Sequence, residues 1–325
     1  MGDIGRVVAL GGGTGLPALL EALKPSLGEA AFDEVTAVVT VADSGGSSGR
    51  LRREMGVPAP GDIRNCLVAL SEAPETMRRL FQYRFPAGEL EGHAFGNLFL
   101  VALAGVTGDF PSAVKQAHDV LAIKGRIYPS TLEPIELVAE MADGRELRGE
   151  WHITRDPRPI RKLRIEPRRA RALPEACRAL ESASLILLGP GSLFTSVLPN
   201  LLVRELAEAI RASRARKVYI CNLATQPGET DGFTASGHAK VLLEHCGDGL
   251  FDTILCNSAV LPEALEKLYM EQGSVPVAVD REAISGLGLA VAEEDLLQAG
   301  QYARHDPKKL RASLVKLART AVEMP

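Results

Sequence analysis

Short apolar runs alternate with longer amphipathic segments along most of the chain. Arg6–Leu10 (RVVAL), Val35–Val41, Ser184–Leu188 (SLILL), Lys217–Cys221 (KVYIC) and Asp252–Cys256 are rich in β-branched residues and leucine. Polar turns bound each of them, which predicts buried strands. Leu16–Leu23, Pro58–Ser71, Pro74–Tyr83, Leu98–Val106, Pro111–Ile123, Val203–Ala212, Gly237–Cys246, Pro262–Met270 and Pro307–Val322 carry apolar residues at helical spacing. In Pro58–Ser71, Asp62 reads as the helix cap and Ile63, Leu67 and Leu70 as one apolar face. Val275–Val279 reads as a final strand, and Pro134–Ile153 alternates like a hairpin with Asp143-Gly144 as its turn. No fixed-period repeat is present. This order predicts an α/β, Rossmann-like architecture: a mainly parallel sheet with flanking helices and an inserted β-hairpin lobe. Residues 1–325 then form a single domain, with 1–125 and 182–325 as its core and about 126–181 as the insertion.

Composition narrows the class. The chain has 325 residues, 46% hydrophobic and 24% charged, which suits a globular protein with a sizeable core. A net charge of −4 gives no global pull toward nucleic acid or an anionic membrane. No run is long and apolar enough to span a bilayer. The opening MGDIGRVVAL passes directly into a strand, unlike a signal peptide. Cys66, Cys177, Cys221, Cys246 and Cys256 are odd in number, widely spaced and without a CxxC, which points to a reducing cytoplasm and to buried filler rather than disulfides or zinc. The basic stretch Arg155–Arg171 lacks interleaved aromatics and is diluted by Asp156 and Glu166, so it reads as a solvated edge rather than an RNA-binding face.

The candidate chemistry lies where the strands end. Gly11, Gly12, Gly13, Thr14 and Gly15 form a turn between a strand and a helix, where free N–H groups favour an anion. The dinucleotide fingerprint fails, because its last glycine falls on Leu16, and no Walker lysine follows. The loop therefore suggests an anion site and leaves the ligand open. Thr40–Arg53 (TVADSGGSSGRLRR) reads as a polar loop after a buried strand. Its Gly46 allows close backbone approach, and Ser44, Ser47, Ser48 and Arg50 supply donors for phosphate oxygens. Asp43 suits a cation or a ribose hydroxyl. Arg64 and Asn65 lie in a first helical turn, and His93 and Asn97 at the mouth of an apolar element. Gly189, Gly191, Ser192 and Thr195 repeat the glycine-and-hydroxyl theme, and Asn222, Thr225, Gln226 and Thr230 occupy the next exit. In an open parallel sheet the exits at Gly11, Asp43, Gly189, Asn222 and Asn257 converge on one edge, where ligands bind.

GGGTGL (Gly11–Leu16), VTVADSGGSSGRLR (Val39–Arg52), PGDIRNCLVALS (Pro60–Ser71), HAFGN (His93–Asn97), LGPGSLFTSVLPNLL (Leu188–Leu202) and CNLATQPGETDGF (Cys221–Phe233) resemble the bacterial gluconeogenesis-factor family (YvcK-like), within the 2-phospho-L-lactate transferase-like (CofD-like) superfamily. The resemblance implies a cytoplasmic regulator of cell shape and envelope-precursor metabolism during growth on gluconeogenic carbon. It implies a nucleotide-sugar ligand, notably UDP-N-acetylglucosamine, and no established catalysis. On this reading the two glycine loops hold the diphosphate with Ser47, Ser48 and Arg50, and Asn222, Thr225, Gln226 and Thr230 contact base or sugar. A protein partner would read the loop closure, a homo-oligomer is compatible, and neither nucleic acid nor membrane is expected. The transferase branch is the alternative: magnesium held by Asp43 and Asp62, and a nucleoside diphosphate donor. Asp43-Ser44 stands where many relatives carry two consecutive acids, which weakens the metal reading.

Overall fold

The computed structural model describes residues 5–27, 32–298, 300 and 303–322. Strands β1 (Arg6–Gly11), β2 (Glu34–Val39) and β3 (Arg126–Pro129) are followed by β4 (Glu136–Met141), β5 (Glu146–Arg148) and β6 (Ile160–Glu166), then β7 (Leu185–Leu188), β8 (Arg216–Ile220), β9 (Thr253–Asn257) and β10 (Ala290–Glu294). The main sheet has seven strands in the order β10-β9-β8-β7-β1-β2-β3, paired in parallel throughout. β1 and β2 are buried beyond their first residue and β7 along its whole length, as a sheet covered by helices on both faces requires. The chain builds outward from β1 to β3, then returns to β7 on the other side of β1. The strand order therefore reverses between β1 and β7, the place where such sheets open a crevice.

The expected Rossmann-like architecture is present, and β4, β5 and β6 form the small antiparallel lobe. Several elements differ in detail. Arg126–Pro129 belongs to the edge of the main sheet, although the sequence places it in the insertion. Thr40–Arg53 is not all loop: helix α2 (Gly46–Met55) follows α1 (Gly15–Leu23) and begins at the second glycine. Its sequence GSSGRLRREM lacks an apolar stripe, and it is held because Ser47, Ser48, Gly49 and Leu51 are buried. Helices α3 (Gly61–Leu70), α4 (Glu75–Gln82), α5 (Phe95–Thr107) and α6 (Phe110–Leu121) follow as expected. The hairpin ends at Arg148, and Glu150–Ile153 is a short helix, α7. Val275–Val279 forms no strand; Pro276 there lacks the N–H of a sheet ladder and only bridges Ala224, and Ala290–Glu294 takes the edge of the sheet.

The basic stretch forms β6. Ile160, Leu163 and Ile165 face inward, but an irregularity opposite Glu140 and Met141 shifts the register, which hides the alternation in IRKLRIE. Its arginines pair locally: Arg158 with Asp143 and Asp156, Arg161 with Glu140, and Arg164 with Glu146 and Glu166. All five cysteines are free; Cys66, Cys221 and Cys256 are buried, Cys177 and Cys246 half-buried. Among the described residues, no single helix is long and apolar enough to cross a membrane.

Candidate functional site at the sheet crossover

The two glycine turns pack against each other at the reversal point. A Cβ on Gly15 would sit 2.2 Å from the Pro190 carbonyl oxygen and 2.8 Å from the Gly191 Cα, so only glycine permits this approach. Gly13 adopts φ +58° and donates its N–H to Asp62 Oδ2 at 2.8 Å. Asp62 is therefore not the cap of its own helix, where Pro60 holds the N-cap position with no side-chain bond. It reaches back to tie α3 to the first glycine loop. On the other side of β1, Asn222 accepts from the Gly191 N–H at 3.1 Å and donates to its carbonyl at 2.8 Å. Asn200 Nδ2 donates to the Gly11 carbonyl at 3.1 Å and fastens the same junction from beneath.

Most predicted site residues gather here, in three linked groups. The first holds Gly12, Gly13, Asp62, Asp43 and Ser48: a Cβ on Gly61 would lie 2.3 Å from Ser48 Oγ and 3.1 Å from Asp43 Oδ2. Thr14 is exposed beside it and makes no capping bond. Buried Ser47 centres the second group, with His93 Nδ1 and Asn97 Nδ2 each 3.1 Å from its hydroxyl oxygen. In the third, Ser192 donates to Glu229 Oε2 at 2.5 Å and lies 2.6 Å from Thr195 Oγ1. Thr225 and Thr230 have other work: their hydroxyls accept from the N–H groups of Val275 and Gln226, which shapes the 222–231 loop. Asn257 braces its own loop and Leu296, apart from these groups.

Two clefts flank α7. One, of about 410 Å³, is lined by Ser192, Thr195, Gln226, Glu229 and Tyr269, with Thr154 at its edge. The other, of about 680 Å³, lies between the start of α2 and the lobe, with Ser44, Gly46, Arg50, Arg53 and Trp151 in its wall. Both volumes suit a small organic ligand. Ser44 accepts the Trp151 N–H at 3.1 Å, and the Trp151 ring packs on Gly45, so α7 is docked on the second exit loop.

Glu150, Trp151 and Glu229 are site residues that the sequence reading misses. No local motif marks Glu150 and Trp151, since the lobe brings them from a hundred residues downstream of Asp43, whereas Glu229 lies within the Cys221–Phe233 segment but is not singled out there. Burial pushes the Glu150 carboxyl up to about 7, aided by the charges of Asp43, Asp62 and Glu229. Burial likewise lifts Asp62 to about 6, against the Gly13 N–H and with help from Asp43. Burial raises Glu229 as well, opposed by the Ser192 hydroxyl. The crevice thus gathers carboxyls that resist ionising together. Among the described residues no three His, Cys, Asp or Glu side chains form a ready metal cage. Asp43 and Asp62 alone match the sparse carboxylate set of Mg²⁺, which leaves the remaining positions to water and ligand phosphate.

A sequence model of the 2-phospho-L-lactate transferase CofD family matches residues 7–297. A relative from Aquifex aeolicus is 48% identical over 316 residues, covering 96% of each chain. The gluconeogenesis factor of Bacillus subtilis is 43% identical over 98% of this chain and 99% of its own. A crystal structure of a UPF0052-family protein from Bacillus halodurans superposes with a TM-score of 0.90 at 41% identity, covering 98% of this chain and 99% of that one.

Proposed function

The chain belongs to the 2-phospho-L-lactate transferase CofD family, among relatives named gluconeogenesis factors, and from that premise we propose that it is a cytoplasmic regulator that binds a nucleoside diphosphate sugar. UDP-N-acetylglucosamine is the ligand we assign, and control of cell shape and envelope-precursor supply on gluconeogenic carbon is the role. The observation that carries the reading is the meeting of the Gly11–Gly15 and Gly189–Ser192 turns at the crossover, directly beside the 410 Å³ cleft. The hydroxyls of Ser192 and Thr195, with the glycine-turn N–H groups other than those of Gly13 and Gly191, suit a diphosphate. Gln226 and Tyr269 offer a wall for base or sugar, and Ser47, Ser48 and Arg50 complete the donor set on the α2 side. Ligand would draw α7 and the polar loops together, and a protein partner would read the closed form.

One observation favours the transferase reading as the alternative. Asp43 and Asp62 face the same corner of the crevice, so they would hold Mg²⁺ beside a donor diphosphate and neutralise its charge. Thermal unfolding with a nucleotide panel, with and without Mg²⁺, separates the two. A ligand at a hundred times its Kd adds about 2.7 kcal/mol. Stabilisation by UDP-N-acetylglucosamine without Mg²⁺ is the expected result. A response confined to guanosine diphosphate with Mg²⁺ would replace the regulator reading by the transferase.

A further inference from the structure

Arg64, in the first turn of α3, is a buried charge with two unmet donor nitrogens. It is only 6% exposed. Its Nη2 donates to Asn65 Oδ1 at 2.6 Å, while Nε and Nη1 are buried with no hydrogen-bond partner. Asp62 and Asp43 act on it only through their field, and the charge that acts on it most strongly is the like charge of Arg84. Buried guanidinium groups are normally paired, because leaving their donors unmet costs several kcal/mol.

The surroundings are built for a negative group. The Arg64 side chain crosses the start of α5: a Cβ on Gly96 would lie 2.9 Å from Arg64 Cδ, so any larger residue would displace the guanidinium. Neither α2 nor α5 has a side-chain cap or an acid in its first turn. The positive dipole ends of α2 and α5 meet around Ser47, whose hydroxyl accepts from the Asn97 amide and the Ala94 N–H, while the Phe95 N–H is taken by the Tyr83 carbonyl and the Gly45 N–H by Asp43. Arg50 and Arg84 hold the facing loop from outside by donating to the carbonyls of Glu91 and Gly92, at 2.6 and 3.1 Å. Burial, helped by the Arg50 charge, lowers the proton affinity of His93 in that loop.

We propose that Arg64 anchors an oxyanion subsite where the N-termini of α2, α3 and α5 meet, and that it takes a phosphoryl group. The group comes either from the nucleotide ligand or from a separate phosphorylated effector, and the chemistry of recognition is the same. The subsite shares Ser47 with the nucleotide-sugar reading, but its case rests on Arg64, which that reading does not use.

The test uses inorganic phosphate as the probe on the full chain, with sulfate-free and phosphate-free buffer as baseline. Saturable stabilisation of the wild type at millimolar phosphate is expected, and Arg64→Gln should weaken phosphate binding about tenfold or more. Arg64→Met guards against a folding artefact: if the subsite is real, the variant melts in phosphate-free buffer at or above the wild-type temperature, because an unmet charge has gone. No phosphate effect on the wild type, or an equal effect on wild type and Arg64→Gln, overturns the proposal. So does an Arg64→Met protein that loses stability in phosphate-free buffer while keeping its response to phosphate. Competition between phosphate and UDP-N-acetylglucosamine identifies the nucleotide as the source, and additive stabilisation identifies a separate effector; each supports the subsite. Arg64-dependent phosphate binding without any nucleotide-sugar binding would sink the functional reading and leave the subsite standing.

Discussion

Glu150 shows most clearly how one side chain acquires its character from partners remote in sequence. In the chain it follows Gly149 in an ordinary polar stretch, and nothing local marks it. In the fold it is buried, in the field of Asp43, Asp62 and Glu229, and burial first and then those charges raise its carboxyl from 4.5 to about 7. A carboxyl raised in the fold binds its proton more tightly there than in the unfolded chain. Stability therefore falls as pH rises from about 4.5 to about 7, and stays reduced above that. We expect Glu150→Gln to melt at a higher temperature than the wild type at pH 8, with the difference gone at pH 4; equal melting at both would remove Glu150 from the carboxyl cluster. Asp62 teaches a related lesson. Its position in the first turn of a helix was legible, but its partner was not: the side chain serves Gly13, forty-nine residues earlier.

At the level of elements, the strand ends follow the sequence and the helix starts depend on contacts. β1, β2, β7, β8 and β9 lie within a residue or two of their expected positions, since a continuous apolar run bounded by turns admits little else. Helix α2 is not legible in the sequence because Gly46, Ser47, Ser48 and Gly49 disfavour a helix locally, and burial against α5 overrides that preference. The turn after β7 is shaped in the same way by another element. Asn222, from the end of β8, pairs with both the N–H and the carbonyl of Gly191. Asn222→Ala leaves both groups unmet, and we expect a loss of about 1–3 kcal/mol in chemical denaturation. The same variant should bind nucleotide sugar more weakly; intact stability and affinity would show that the turn holds without it.

On the scale of the whole molecule, the lobe closes the site. β4, β5 and β6 carry α7 over the second exit loop, where Trp151 packs on Gly45 and is itself capped by Arg155 at 4.1 Å from the ring centroid. The chain has a single tryptophan, so its fluorescence reports this junction alone. Binding of UDP-N-acetylglucosamine should shift the emission of Trp151 and lower its quenching by acrylamide, with the same midpoint as the thermal response. A saturating ligand that leaves the emission unchanged would show that the lobe takes no part in closure.

The sequence by itself determined the alternation of strand and helix, the parallel sheet, the glycine-rich exits and the family to which they belong. The structural features depend on periodicity and on residues whose backbone freedom is local, and the family on the resemblance of whole motifs such as Gly11–Leu16 and Val39–Arg52. Only the tertiary structure decided that Gly15 is reserved for contact with Pro190, that Asp62 turns away from its own helix, that Glu150 joins the crevice, and that Nε and Nη1 of Arg64 are buried without a partner. Each of these depends on desolvation and on neighbours tens to hundreds of residues away, and a linear pattern carries no record of which groups will lose water together.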